Sequence, residues 1–274
     1  QKDLLSEFEK IKKEHAEKFH LLRSEILNAF NRRFLNKKEG YYDDQSQSAQ
    51  TWPLFFDMVP EELERSVMST LINDIVEKHE DHLTTGYMGT KYLVDLLTKK
   101  SREDLVWKLA LKKDFPSWGY SLRNGRTTIT EKWTDGGSQN HLVLGAAIDP
   151  WFYNVLAGIN PDESCPGFKK FIVKPYIPGN DLDWVSASVN TIHGTIASSW
   201  RKKQEGLHLD IKVPSNTTAI VYLPASPGAI ITEGGNQVSQ TKRIRSLPSG
   251  SNESIFEVGS GSYSFFVSDI SKRK

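Results

Sequence analysis

Apolar residues return every three or four positions along the start of the chain: Leu4, Leu5, Phe8, Ile11, Phe19, Leu22, Ile26, Ala29 and Phe30. That spacing lines them along one side of a 3.6-residue repeat and predicts a long amphipathic helix over residues 1–30. The polar stretch NKKEGYYDDQSQ, residues 36–47, reads as a loop, and helical spacing resumes over 48–57, 60–77 and 89–99. Pro60 followed by Glu61 and Glu62 suits a helix opening, because proline fits the first turn and acids face the positive end of the helix dipole. SREDLVWKLALKKD, residues 101–114, predicts a further helix with Ser101 as its cap and Leu105, Val106 and Leu109 facing inward. HLVLGAAIDPWFYNVLAGI, residues 141–159, predicts one more largely apolar helix, interrupted near Pro150.

The period then shortens. GFKKFIVKPYIP (167–178), DWVSASVNTIHGTIASSWRK (183–202), GLHLDIKVPSNTTAIVYLP (206–224) and ESIFEVGSGSYSFFVS (253–268) alternate or run in short β-branched and aromatic stretches split by Gly, Pro and Asn. The pattern predicts a mainly α first domain, residues 1–163, and an antiparallel β-sandwich of about eight strands, residues 164–274, with the change near 160–168. The helices come in pairs joined by polar loops, which fits a toroid of helical hairpins.

Composition narrows the chemistry. The 274 residues carry 35 basic and 34 acidic side chains, a net charge of +1, with no basic run longer than Lys272-Arg273-Lys274, so nothing points to nucleic acid. No stretch approaches 18 consecutive apolar residues, which argues against a membrane-spanning helix. Cys165 is the only cysteine, so an internal disulfide is excluded and thiols give no compartment. The seven histidines include no His-x-x-x-His pair; His79 and His82 are spaced for one helix face but lack an evident third ligand, so no metal or other cofactor is expected. A nucleophile elbow and a phosphate-binding glycine loop are also missing from the sequence.

Carboxylates remain. Glycosidic hydrolysis uses two of them, one to protonate the leaving oxygen and one to activate water or attack carbon. Glu131 follows the run Thr127, Thr128, Ile129, Thr130, which favours a short extended segment, and it is flanked by Trp118 and Trp133. On spacing alone it reads more readily as a surface acid paired with Lys132 or Arg126, since most acids are solvated. His141, after Asn140, could donate to a sugar hydroxyl or simply cap a helix. HLTTGYMGT, residues 82–90, reads as a tight loop whose glycines take positive φ, and SQSAQTW, residues 46–52, as the start of a helix.

The order of these segments is more specific than any one of them. YYDDQSQSAQTWPLFFDMVPEE, HLTTGYMGTKYL, FPSWGYSLRNGRTTITEKW, SQNHLVLGAAIDPWFYNVLAGI and PGFKKFIVKPYIPGNDLDWVSASVNTIHGTIASSW follow one another in a succession that closely resembles the C-terminal half of bacterial α-L-rhamnosidases. These are glycoside hydrolase family 78, of the six-hairpin type, and the resemblance runs from about residue 20 to about residue 225. It implies that residues 1–163 are the later hairpins of an (α/α)₆ barrel followed by a β-sandwich. It also implies inverting hydrolysis of terminal α-L-rhamnosides, with a rhamnose-containing glycan or glycoside as partner. By the resemblance, Glu131 is the general base, His141 of the Asn140-His141 pair contacts the rhamnose, and Trp118 lies at the pocket wall; Trp133 and Asn140 are further candidates for substrate binding. The family usually places Trp just before this glutamate, where this chain has Thr130. Its general acid belongs to an upstream motif of the Arg-Asp-Glu-Arg type, a string these 274 residues do not contain; Asp43 and Asp44 are the nearest substitutes. The expectation is therefore the C-terminal part of a longer hydrolase, inactive by itself. The alternative is a non-catalytic carbohydrate-binding or structural remnant.

Overall fold

The computed structural model describes residues 2–134, 136–141, 147–179 and 181–268, with the backbone alone for residues 2–10. The chain divides into two compact units, residues 1–147 and 148–274.

The first unit is helical. Helix α1, Lys2–Phe34, leads into a two-stranded ribbon, β1 (Leu35–Asn36) against β2 (Tyr41–Tyr42). Helix α2, Gln47–Phe55, begins at Ser46, whose Oγ accepts the Ala49 N–H as an N-cap. Pro60 stands before a short 3₁₀ turn, Glu61–Leu63, that runs into α3, Glu64–Asn73, and a π-type turn, Asp74–Lys78. Then come α4, Tyr87–Lys99, α5, Glu103–Leu111, and α6, Trp118–Arg123. The core is aliphatic: Leu71, Ile75, Leu93, Leu96 and Leu97 are buried, as are Leu105, Val106 and Leu109, whose spacing predicts it.

Two local expectations are corrected. Ser101 does not cap α5. It takes φ +56° and closes α4, with Arg102 N–H bonded to Leu97 O and Ser101 N–H to Thr98 O, the two bonds of a Schellman ending. α5 therefore starts without a side-chain cap, and its first-turn acids Glu103 and Asp104 face the dipole instead. The glycines of HLTTGYMGT do not take positive φ. Gly86 is extended ahead of α4, and Gly89 lies inside α4, where a Cβ would come 2.8 Å from Ser48 Oγ on α2. Gly89 is there for close helix approach.

The second unit opens with one helical turn, Asp149–Trp151, continued by a π-type turn, Phe152–Leu156. Residues 147–148 form a turn ahead of it, and Pro150 sits in its first turn, where proline is tolerated. The part of the expected helix over 142–146 lies outside the described residues. Eleven strands follow among the described residues: β3 (Ile159–Pro161), β4 (Lys170–Val173), β5 (Trp184–Thr191), β6 (Gly194–Lys203), β7 (Gly206–Val213), β8 (Thr218–Pro224), β9 (Ile231–Glu233), β10 (Asn236–Gln237), β11 (Ile244–Leu247), β12 (Glu253–Val258) and β13 (Gly261–Ser268). They form a six-stranded sheet, β10-β9-β13-β7-β6-β5, and a five-stranded sheet, β11-β12-β8-β4-β3. Every pairing is antiparallel except β4 with β8. The chain visits the other sheet for β5, β6 and β7 between those two and returns in the same direction. Inward side chains of both sheets, among them Trp200, Phe265, Phe171 and Val221, make one core.

Candidate active site

The loop from Ser117 to His141 is built on short-range backbone pairing rather than on long strands. Ser117 caps α6 by accepting the Tyr120 N–H at 2.9 Å, and this fixes Trp118 as the first residue of that helix. The Phe115–Pro116 peptide bond just before it is cis. Further on, Glu131 N–H bonds to Ser138 O at 2.9 Å and His141 N–H to Ile129 O at 2.6 Å. These bonds lay residues 129–131 against 138–141, and Thr128 Oγ1 donates to Gln139 O at the same place. Glu131 and His141 thereby come from neighbouring segments of one folded loop.

The Glu131 carboxylate is oriented from the opposite segment. Its Oε2 accepts the Ser138 N–H at 2.9 Å, and among the described residues Oε1 takes no hydrogen bond. Gly137 makes the approach possible: at φ +74° it occupies the left-handed region, and a Cβ there would come 2.8 Å from Glu131 Oε2. Among the described residues no ion pair joins Glu131 to Lys132 or Arg126. The Arg126 guanidinium donates to Thr130 Oγ1 at 2.7 Å, and that hydroxyl donates to Lys132 O at 2.7 Å. Thr130 is thus buried in a hydrogen-bonded knot directly before the glutamate.

The aromatic side chains form two contacts. Trp118 and Trp133 meet edge to face with ring centroids 5.5 Å apart, and His141 meets Tyr87 at 4.7 Å in the same manner. Trp133 Nε1 donates to Thr85 O at 2.9 Å, which ties the Glu131 loop to the 82–86 loop. By contrast, Trp118 Nε1 and His141 Nδ1 are buried with no hydrogen-bond partner among the described residues. A buried donor or acceptor without a partner costs free energy unless a ligand or water meets it. Asn140 is exposed, and its backbone N–H donates to Ser138 Oγ at 3.4 Å.

Two glutamines hold the framework. Gln47 Nε2 donates to His82 O at 2.9 Å while its Oε1 accepts the Thr84 N–H at 3.0 Å. Gln50, one turn later on α2, grips both backbone polar groups of Tyr42 at 2.9 and 2.8 Å. The sequence reading passed over both, and over Tyr87 and Ser138. Tyr87 stands in the quoted HLTTGYMGT, whereas the Ser138 contact is a backbone one and leaves no residue-type signal.

The other acids considered are placed less suitably. Asp44 accepts from the Ser46 backbone N–H at 3.0 Å, and hydrogen bonding from Ser46 holds its carboxyl below the usual carboxylate range, opposite to what a proton donor needs. Asp43 lies beside it in the loop at φ +45°. His79 and His82 do not share a helix face, since His79 ends the π-type turn and His82 lies beyond it; among the described residues no group of three His, Cys, Asp or Glu is placed to hold a metal ion.

Helical hairpins followed by a two-sheet domain are the architecture of six-hairpin glycoside hydrolases, and sequence comparison places the chain within that class. The profile of the bacterial alpha-L-rhamnosidase 6 hairpin glycosidase domain matches residues 4–156, and that of the bacterial alpha-L-rhamnosidase C-terminal domain matches residues 158–238. The chain belongs to the bacterial α-L-rhamnosidase family. An alpha-L-rhamnosidase of Streptomyces avermitilis is 31% identical over 254 residues, covering 88% of this chain and 23% of the relative. One from Formosa agariphila is 33% identical over 250 residues, covering 87% and 26%. Among solved structures, the alpha-L-rhamnosidase from Dictyoglumus thermophilum superposes with TM-score 0.80 at 33% identity, covering 92% of this chain and 29% of that one. The Streptomyces avermitilis enzyme complexed with L-rhamnose gives 0.78 at 30%, covering 92% and 24%. The chain spans about a quarter of the length of these relatives.

Proposed function

We propose that the 274 residues contribute the water-activating side of an α-L-rhamnosidase active site, with Glu131 as general base in an inverting hydrolysis of terminal α-L-rhamnosides. The observation that carries this is the Glu131 carboxylate. One oxygen is anchored by the Ser138 N–H and the other takes no hydrogen bond among the described residues, so it is available to polarise a water. Trp118 and Trp133 supply an apolar wall of the kind a pyranose packs against, and the buried, unpartnered Trp118 Nε1 and His141 Nδ1 supply polar contacts for its hydroxyls. Residues 1–163 act on this reading as the later hairpins of the (α/α)₆ barrel, with Asn140 at the rim of the pocket.

Inversion requires a second carboxyl about 6.5–9.5 Å away to protonate the leaving oxygen. On this reading that acid lies outside the present sequence, and Asp44, held ionised by Ser46, is no substitute. A base alone does not expel an unactivated alkoxide, so these 274 residues are expected to be inactive without the rest of the enzyme. The test is Glu131→Gln in the complete enzyme. It preserves shape and the Ser138 contact but removes the basic oxygen, so kcat on an aryl α-L-rhamnoside is expected to fall by about 10² to 10⁴-fold. Turnover within a few-fold of wild type would overturn the assignment.

A further inference from the structure

The six-stranded sheet packs one face on the sandwich core, and strand register fixes what stands on the other. Trp184 on β5 lies opposite Arg201 on β6, Arg201 opposite His208 on β7, and His208 opposite Phe266 on β13. Directly opposite residues project from the same face, so these four make one row across four strands. They touch in pairs. The Arg201 guanidinium sits over the Trp184 ring at 5.7 Å, and the His208 and Phe266 ring centroids are 4.9 Å apart. Three strand spacings give the row a length of about 14 Å, longer than a single sugar ring. Trp184 is 53% exposed, so half of the indole is open to a ligand.

The next row on this face, two residues along each strand, is Ser186, Ser199, Asp210 and Ser264. Its side chains are short and polar, so the surface stays low beside the aromatic row. Charge is unevenly matched here. The Asp210 carboxylate accepts the Ser264 hydroxyl at 2.6 Å, and Glu205, in the turn between β6 and β7, lies 3.9 Å from His208 Nε2. Arg201, Lys203 and Lys212 are exposed on the same face and form no ion pair among the described residues. The platform therefore has positive charge to spare.

These features fit one kind of partner. An aromatic ring gives the C–H face of a pyranose an apolar surface, short hydroxyls exchange hydrogen bonds with its hydroxyls, and a guanidinium matches a carboxylate. Neither row holds an aliphatic side chain, whereas the buried centre of a protein–protein interface is apolar. The face is also flat, and sites for single small molecules are concave, so the ligand is a chain that sums weak contacts over several rings. We propose that this face of the six-stranded sheet binds an acidic glycan chain, with a uronic acid ring against Trp184 and its carboxylate at Arg201. The site lies within the second unit and makes no use of Glu131, so it stands whether or not the hydrolytic reading holds.

Calorimetric titration of the 274-residue chain with polygalacturonate oligomers tests this at about 0.15 M salt, where loose charge attraction is screened. Wild type is expected to bind them at least about fivefold more tightly than the same oligomers with their carboxylates reduced to alcohols. Trp184→Ala and Arg201→Gln are each expected to weaken binding by about fivefold or more, and Trp184→Tyr, which keeps a ring, by no more than about twofold. Circular dichroism checks that each variant keeps its sheets. In the complete enzyme Trp184→Ala is expected to leave kcat/KM on an aryl α-L-rhamnoside unchanged. No binding by wild type, or binding by Trp184→Ala equal to it, would overturn the platform. Equal binding of both oligomers would remove the acidic specificity, and dextran sulfate bound as tightly as polygalacturonate would reduce the contact to charge alone. Dimerisation abolished by Trp184→Ala, without glycan binding, would assign the face to a second copy of the chain instead. A fall in aryl rhamnoside turnover in Trp184→Ala would place Trp184 in the active site and end the case for a separate one.

Discussion

At the scale of single residues, burial and hydrogen bonding decide what each polar group can do. Tyr42 is 1% exposed, its hydroxyl donates to Asn31 Oδ1 at 2.7 Å, and burial pushes its phenol up to about 12. In the unfolded chain a tyrosine ionises near pH ~10. The folded state therefore favours the neutral phenol, a contribution fully present below pH ~10 and lost as pH rises toward ~12. Alkaline unfolding followed by circular dichroism is expected to show this slope, and Tyr42→Phe is expected to flatten it while costing about 1 kcal/mol at neutral pH for the lost hydrogen bond. An unchanged alkaline slope in the variant would reject the linkage. Glu131 shows the limit of reading residues from sequence. The run of threonines before it and the tryptophans around it mark it out, but the group that orients its carboxylate is the Ser138 backbone N–H, which any residue type except proline would supply. Thr130 likewise looks like a missing pocket wall in the sequence, and in the structure it is a buried node between Arg126 and Lys132 O.

At the scale of elements, periodicity was the legible signal and element ends were not. The inward spacing of Leu105, Val106 and Leu109 was enough to recognise α5, but Ser101 serves the preceding helix, because a Schellman ending and an N-cap compete for the same few residues. Strands β5 to β7, β12 and β13 alternate and β8 runs as a continuous apolar stretch long enough to be read, whereas β3, β9, β10 and β11 span only two to four residues each, too few for a period of two to show. The loops of the candidate site owe their shape to α2, whose first turn bears Gln47. Gln47 is fully buried and mimics a strand partner for His82 and Thr84. Gln47→Ala removes both bonds and leaves a backbone carbonyl and an N–H without partners, at a cost of about 1–3 kcal/mol. Gln47→Glu keeps the acceptor for Thr84 N–H but turns a carboxylate oxygen toward the His82 carbonyl, so it is expected to lose stability as well. Urea unfolding of the pair measures this, and an Ala variant as stable as wild type would show that water replaces the clamp without loss.

At the scale of the whole molecule the two units differ in how completely they bury their apolar surface. The second has strands covered on both edges: β7 lies between β13 and β6, and β8 between β12 and β4, with Leu207, Leu209, Ala219 and Val221 fully buried. Helix α1 has the apolar stripe its sequence predicts, yet Ile11, Phe19, Leu22 and Ile26 remain 45–61% exposed. A helix whose apolar face is uncovered gains little from packing, so its amides open with a free energy set by local helix stability rather than by global unfolding. An exposed stripe of this size also favours association. Native-state hydrogen exchange of the 274-residue chain is therefore expected to show the amides of α1, residues 11–34, exchanging orders of magnitude faster than those of β7 and β8. Replacing Phe19 and Leu22 together by serine is expected to lower any concentration-dependent sedimentation without changing exchange in β7 or β8. Slow exchange throughout α1 at a concentration where the chain sediments as a monomer would mean that the helix is stabilised from within, and the argument from its uncovered face would fail.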